Sequence, residues 1–570
     1  MKKENSASPL TTSVHTKRRI AVIGAGPSGL VAVKELLQEG HEVTCYEKAP
    51  DLGGVFRYDP EGGGVWETCR LTSSAFVTAF SDFPLAHDSP THFTHHEYMA
   101  YLKRYVDHFK LEDHLLFEHE VKHTTQNEDG SWQVEVQDAT GKKTVTTFDS
   151  LAICSGIHQK PSFPEIPNRE QFKGTISHSS SYKNANAFKG KRVVVVGAGE
   201  SGSDILAEVA EKAEESVLSL RRGVFVQLRF VNGYPTDYYT NRIVTGLPDW
   251  VIRRDNPSSE VGRLRNIMAW LTLPVHLLFQ IYLIARVRLH RLMTNWGWWT
   301  PNSTPEVSRL IQKLRGESGG GLAEQFATKS ERFVYALANG SAQLKPQIKS
   351  FTSDGVAFDD GSEFACDHVL FCTGFKSAFP FMDIDLSDSR NLYRYCFFPQ
   401  LGDRLCFIGA IRPSIGSIPP ISELQSRWFA LISSGKLSLA EPEQMQQHIN
   451  EHREMHKIKY RDLSERLNYL VDYTSYMDEM ATIVDCKPRW SELIKEPSLL
   501  LKVYCAPFSA FQYRLRGPHA QKELAKRILS YHPIVYAKVE MAFLLFYLLF
   551  CKSLSKLGFQ KFNPHLKLDE

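Results

Sequence analysis

Two glycine triplets are the residues whose spacing predicts chemistry. Gly24-Ala25-Gly26-Pro27-Ser28-Gly29 and Gly197-Ala198-Gly199-Glu200-Ser201-Gly202 both read G-x-G-x-x-G. The first glycine of such a loop permits a tight turn. The second has no Cβ, so a pyrophosphate can approach the backbone, and the third lets helix and strand pack closely. The phosphates then meet free N–H groups at the positive end of a helix. The two triplets differ in the residues downstream of them. Glu47 lies 18 residues past Gly29, where a carboxylate accepts hydrogen bonds from ribose hydroxyls. After the second triplet, Leu220, Arg221 and Arg222 stand in that place. A guanidinium grips a 2′-phosphate that a carboxylate would repel. The chain therefore reads as two dinucleotide sites, the second preferring NADP over NAD.

The elements that must position these loops are legible around them. A strand over 20–23 feeds the first loop. Leu30, Val33, Leu36 and Leu37 recur at helical spacing up to Gly40, and a second strand covers 42–46. The second unit repeats the plan, with a strand over 193–196, a helix from Glu200 to about Lys212 and a strand over 216–220. The chain also echoes itself: "DSLAICSG" at 149–156 matches "DHVLFCTG" at 367–374. Apolar strands of this kind complete a parallel sheet and bring backbone close to a cofactor. A hairpin precedes the first, with "SWQVEVQ" and "KTVTTF" flanking the turn "DATGK".

The expected fold is α/β, with two Rossmann-like dinucleotide-binding domains and a helical C-terminal region. The expected boundaries are a disordered leader over 1–17, a first domain over 18–185 and 335–435, a second inserted over 186–334, and the helical region over 436–570.

Composition permits this. The chain has 570 residues, with 42% hydrophobic and 23% charged residues and a formal net charge of +3. Near-balanced charge gives no reason to expect a nucleic-acid partner. The ten cysteines include no C-x-x-C pair and no zinc spacing, which speaks against a disulfide reductase and for buried thiols in a reducing compartment. No metal is expected: "HFTHHE" at 92–97 resembles a metal cluster, but Thr94 and Glu97 spell a capping box that starts a helix. The N-terminus has no apolar core of a secretory signal. Two apolar runs stand out, 18 uncharged residues over 268–285, followed by Arg286, Arg288 and Arg291, and 11 residues over 541–551. A spanning helix needs about 20 apolar residues, so a buried helix, an interfacial element and a span all stay open.

Between the two units, Phe172, Gly174, His178 and Tyr182 fit F-x-G-x-x-x-H-x-x-x-Y. With "GAGPSGL", "YEKAPDLGGVFR", "FSDFP", "GAGESGSD", "CTGF" and "IGSIPPISELQSRW", this resembles the flavin-containing monooxygenases, class B flavoprotein monooxygenases, over roughly 19–435. The related Baeyer–Villiger fingerprint carries Trp in place of Tyr182, followed by Pro or Asp in place of Lys183.

The resemblance implies FAD in the first domain, NADPH in the second, and the fingerprint as a linker near both. It implies that a C4a-hydroperoxyflavin delivers one oxygen atom from O₂ to an amine or sulfur of a small organic substrate. Ketone oxygenation and NADPH oxidation releasing H₂O₂ are the alternatives. It places FAD against Gly24, Ala25, Gly26, Pro27, Ser28, Gly29, Glu47, Val55, Phe56, Leu71, Thr72 and Ser73. It places NADP against Gly197, Gly199, Ser201, Gly202, Ser203, Asp204, Ser219 and Arg221, and adds Thr373 and Gly374 to the cofactor contacts. Thr72 stands where relatives active on amines or sulfur often carry Asn, so Thr72 and Ser73 are the candidate catalytic environment. The implied location is cytoplasmic or on the cytosolic face of a membrane, with peripheral membrane contact and homo-oligomerisation left open. "NGYPTDYY" at 232–239 also resembles the family, as a loop at the substrate entrance or as surface packing.

Overall fold

The computed structural model describes residues 16–246, 304–319 and 327–536, with Met541 and Leu545; positions 63, 87–88, 90, 385–387 and 461–467 are excepted. The expected leader up to residue 15, the apolar run over 268–285 and nearly all of 541–551 lie outside the described residues. Among the described residues no helix is long and apolar enough to cross a membrane.

Two parallel sheets carry the fold, and the chain leaves the first for the second and later returns to it. Strand β1 (Arg19–Ile23), helix α1 (Pro27–Gln38) and strand β2 (Glu42–Tyr46) form the first unit's core. β3 (Leu115–Leu116) pairs with β2, and β4 (Ser150–Ile153) pairs with β1 on the other side. β1 is apolar and buried along almost its whole length, as a central parallel strand must be. Between β2 and β3, helix α2 (His95–Phe109) starts at the capping box read from the sequence, with Thr94 and Glu97 exchanging both hydrogen bonds. The hairpin also forms, as 132–137 against 143–148, and gains a third strand over 120–126.

The chain then crosses to the second sheet. β5 (Thr175–His178), β6 (Arg192–Val196), helix α3 (Glu200–Ala210), β7 (Glu215–Ser219), β8 (Gln343–Lys345) and β9 (His368–Phe371) come next along the chain. They order in space as β8-β7-β6-β9-β5, all parallel. Only then does β10 (Leu405–Phe407) return to the first sheet, beside β4.

The expected domain boundaries are therefore corrected. Residues 175–178, 343–345 and 368–371, assigned from the sequence to the first domain, are strands of the second sheet, and 348–351, 355–358 and 363–365 form a separate antiparallel sheet between the last two. The physical reason is the internal echo: 149–156 and 367–374 each supply the strand that pairs with the glycine-loop strand of a different sheet. Identical patterning suits both places, so pattern alone does not say which sheet a copy joins.

The C-terminal region is helical, with helices over 442–460, 473–483, 497–505 and 522–531. It is bolted to the first unit. Helix α4 (Ile418–Ser433) packs on α1, and the fully buried guanidinium of Arg514 donates to Glu35 of α1, Asp82 and Glu423 at 2.7–2.8 Å. Such a buried charge is tolerable only because it is fully paired.

Candidate active site

Both glycine loops are built as the spacing predicts. Gly24 has φ +103°, and an added Cβ would stand 2.9 Å from the Cys154 carbonyl oxygen; Gly197 has φ +94°, and its Cβ would stand 3.0 Å from that of Cys372. Those conformations are open to glycine. A Cβ on Gly29 or Gly202 would run into the carbonyl oxygen of Gly24 or Gly197. Each echo strand thus ends against its own loop, Cys154 in the first unit and Cys372 in the second.

The first loop makes a cradle of bare backbone. Gly26 faces Gly54, which has φ +55°, and a Cβ on Gly54 would stand 3.1 Å from the Gly26 Cα. Pro27 takes the first turn of α1, and no side chain caps that helix or places an acid there. Ser28 bonds Ser422 at 2.8 Å. Glu47, buried at the end of β2, accepts from Ala25 N–H at 2.8 Å and Ala49 N–H at 2.9 Å. Val55 is exposed, while the Phe56 ring packs edge-on against Tyr98. A cradle that any Cβ would fill, facing uncapped helical N–H groups, fits a pyrophosphate and hence FAD.

The second loop also opens onto a helix N-terminus without a capping side chain. Arg221 and Arg222 lie exposed past β7, and neither has an ion-pair partner among the described residues. Burial, then the charge of Arg221, lowers the Arg222 pKa, so a bound phosphate would relieve that pair. This fits NADPH. Several expected contacts are used otherwise. Ser203 donates to Glu200 O, Ser219 to Pro346 O, and Asp204 accepts from Ser330 and Arg229. Their polar atoms brace the unit internally. Ser201 is half-buried on the first turn of α3. Thr373 sits beside the second loop and its hydroxyl donates to Ser162 O, while Gly374 O accepts from Ser162 N–H at 2.9 Å.

The fingerprint forms an edge strand of the second sheet and the turn after it. Gly174 leaves no room for a Cβ, which would stand 2.7 Å from Asp367 O. Phe172 packs on Phe351. His178 closes β5, accepts from Ser180 N–H at 3.1 Å and lies between the rings of Phe163 and Phe375. Burial lowers its pKa. The Tyr182 hydroxyl reaches Glu208 of α3 at 2.7 Å, and its ring meets Trp66 of the first unit.

The candidate catalytic turn is buried between the units. Leu71 N–H donates to Phe93 O at 2.8 Å. Ser73 bonds Thr78 at 2.8 Å, and Ser74 caps the short helix over 75–78. Both hydroxyls are therefore committed to local structure. Thr72 instead borders a small pocket with His92, Gln227, Arg229, Asp237 and Lys329. No sequence motif assigns the last five to a site; the "NGYPTDYY" stretch, which contains Asp237, is the one local signal near them. Asp237 accepts Ser74 N–H at 2.7 Å, and burial raises its pKa. Burial, then Arg229 and Lys329, lower the His92 pKa to about 4, so this ring is neutral near pH 7.

The sequence profile of flavin-binding monooxygenase-like proteins matches residues 17–255 and 324–539. The chain is 37% identical over 527 residues to a 4-hydroxybenzoate brominase (decarboxylating) of Marinomonas mediterranea, covering 91% of this chain and 93% of that protein. It is 32% identical over 533 residues to the mouse flavin-containing monooxygenase 5, covering 90% and 92%. Among solved structures, the S-allyl-L-cysteine S-oxygenase of Allium sativum aligns with a TM-score of 0.59 at 22% identity, over 91% of this chain and 99% of that one. A closed cyclohexanone monooxygenase aligns at 0.55 and 17% identity, over 83% and 98%. These two likenesses concern the fold.

Proposed function

This chain belongs to the flavin-binding monooxygenase-like family, and we propose that it couples NADPH and O₂ to the insertion of one oxygen atom into a soft nucleophile, an amine or sulfur, of a small organic substrate. Members of the family are FAD- and NADPH-dependent. The single observation that carries the reading is the buried pocket at Thr72, walled by residues of both nucleotide units.

When bound, the flavin supplies acceptance of hydride from NADPH and activation of O₂. The chain's own residues do the rest. Gly24, Gly26 and Gly29 hold the FAD pyrophosphate, Glu47 stands at its ribose, and Arg221 selects the 2′-phosphate. The Leu71–Ser74 turn and the Asp237 loop exclude water from the space between them. Thr72 offers that space one hydroxyl, which can donate a single hydrogen bond.

Oxygen uptake, NADPH oxidation and H₂O₂ release, measured together against amines, thioethers and ketones, test the proposal. Product near one per NADPH with an amine or thioether is the expected result. Turnover on ketones alone would assign Baeyer–Villiger chemistry, and H₂O₂ equal to NADPH with every compound would assign an oxidase.

A second reading is favoured by the brominase relatives of Marinomonas mediterranea and Pseudoalteromonas luteoviolacea, at 37% and 33% identity. Bromide is itself a soft nucleophile. Oxygen transfer to it gives hypobromous acid; a ring carbon of an electron-rich phenol takes the bromine as the O–Br bond breaks, the same carbon gives up a proton or its carboxyl group as CO₂, and the oxygen leaves as water. Bromide-dependent bromination of a hydroxyaryl acid is its test.

Peripheral membrane contact is part of the proposal. Trp490, Ile494 and Leu501 are each more than half exposed in the C-terminal region, near Lys495. Exposed aromatic and aliphatic groups beside cations suit an anionic lipid surface. Co-sedimentation with phosphatidylserine vesicles that survives Trp490→Ala with Ile494→Ala would rule that surface out.

A further inference from the structure

Three residues that line the pocket at Thr72 each carry a buried side-chain atom without a hydrogen-bond partner among the described residues: Asp237 Oδ1, Gln227 Oε1 and His92 Nδ1. Asp237, Gln227 and His92 are each at most 9% exposed. A buried polar atom left unsatisfied costs about 1–3 kcal/mol, and three of them on residues lining one pocket mark a place where a ligand completes the bonding.

The framework around them is firm. Asp237 Oδ2 is taken by Ser74 N–H, which aligns the carboxylate with the Thr72 turn. Gln227 N–H donates to Thr328 O, and the Thr328 hydroxyl donates to Ala198 O in the second glycine loop, both at 2.8 Å. The pocket wall is therefore keyed to the loop of the second cradle, while Thr72 and His92 come from the first unit.

Chemistry narrows the occupant. The unpartnered oxygen of a carboxylate disfavours an anion, so Arg229 and Lys329 do not make this an anion site. Two oxygen acceptors call for a group that offers N–H donors. With Arg221 at the adenosine end of the second cradle, the far end of the same dinucleotide must reach the space between the units to meet the flavin. That end carries a carboxamide, with two N–H donors and a carbonyl that Lys329 or Arg229 can satisfy.

We propose that Asp237, with Gln227 and His92, anchors the carboxamide of the nicotinamide and so sets the position of the hydride donor. This rests on the reading that the second cradle holds NADPH. Asp237 is a specificity-determining residue in this role, and the Ser74 contact makes it also a brace for the Thr72 turn.

The test compares three probes on the oxidised FAD-loaded protein by calorimetry: NADP⁺, its 3-acetylpyridine analogue, in which methyl replaces the amide nitrogen, and 2′-phospho-ADP-ribose, which lacks the ring. Asp237→Asn is the informative variant, because its oxygen can keep the Ser74 bond while its NH₂ replaces the free acceptor. Wild type should bind NADP⁺ about tenfold more tightly than the analogue. In Asp237→Asn that preference should shrink to about twofold or less, with the affinity for 2′-phospho-ADP-ribose unchanged. Gln227→Ala, which leaves the Ser74 contact alone, should reduce the same ratio if Asp237→Asn does not fold. An undiminished preference in both variants, or an equal loss for all three probes, overturns the proposal. Failure of wild type to bind 2′-phospho-ADP-ribose would instead overturn the underlying assignment of the second cradle.

Discussion

The Tyr182 hydroxyl donates to the carboxylate of Glu208 at 2.7 Å, and Thr68 of the first unit donates to the other oxygen of the same carboxylate. One side chain on helix α3 thus joins the fingerprint, the second nucleotide helix and the first unit. Tyr182→Phe removes one of these bonds and should cost about 1 kcal/mol of stability. Because the Glu208 carboxylate that this bond orients also holds Thr68 of the first unit, the larger effect should be on coupling, with more H₂O₂ released per NADPH. A normal H₂O₂ yield together with a lowered Tm would reduce this contact to packing.

Gly26 and Gly29 should fail differently. A Cβ on Gly26 stands 3.6 Å from the Gly54 Cα, an ordinary contact, whereas one on Gly29 collides with the Gly24 carbonyl. Gly26→Ala should fold with a near-native Tm and lose most of its yellow FAD, since the added methyl lies in the cradle. Gly29→Ala should lose about 1–3 kcal/mol of stability through overpacking, seen in the apoprotein's Tm. Full flavin content in Gly26→Ala would contradict the cradle.

Arg221→Ala should weaken NADPH by about 10- to 100-fold, the equivalent of about 1.5–3 kcal/mol for a charged hydrogen bond, and leave NADH nearly unchanged. Steady-state KM values for the two nucleotides check this. Equal losses would mean that Arg221 does not read the 2′-phosphate.

Thr72→Asn should raise product yield and lower H₂O₂ per NADPH, because the amide brings a second hydrogen-bonding arm into a pocket that Ser73 and Ser74 cannot serve. Unchanged partitioning would show that another group protects the oxygen-transfer step.

Glu39 reports on acid stability. Burial alone would raise its carboxyl, but hydrogen bonds from His519 and Lys436 outweigh this and hold it at about 2. A depressed carboxylate stabilises the fold above its unfolded value and loses that contribution as pH falls through the folded one. Wild type should therefore lose on the order of 3 kcal/mol from this group between about pH 4.5 and pH 2. Glu39→Gln should start less stable at pH 6 and show a flatter Tm profile over that window. Parallel profiles would remove Glu39 from the acid transition.

The two glycine loops, their strands and helices, the capping box at Thr94 and the arginines after β7 were legible in the sequence. Each is a local matter: backbone freedom at Gly24 and Gly197, apolar periodicity, and a side chain three residues from its own N–H partner decide the outcome within a short window. Tertiary structure alone decided which sheet each echo strand joined, that Ser203, Ser219 and Asp204 turn inward, and that Asp237, Gln227 and His92 meet at Thr72. Those residues lie up to 165 positions apart from the turn they face, as Asp237 does from Thr72. Their meeting depends on how two sheets pack, a sum of many weak contacts that no local pattern encodes.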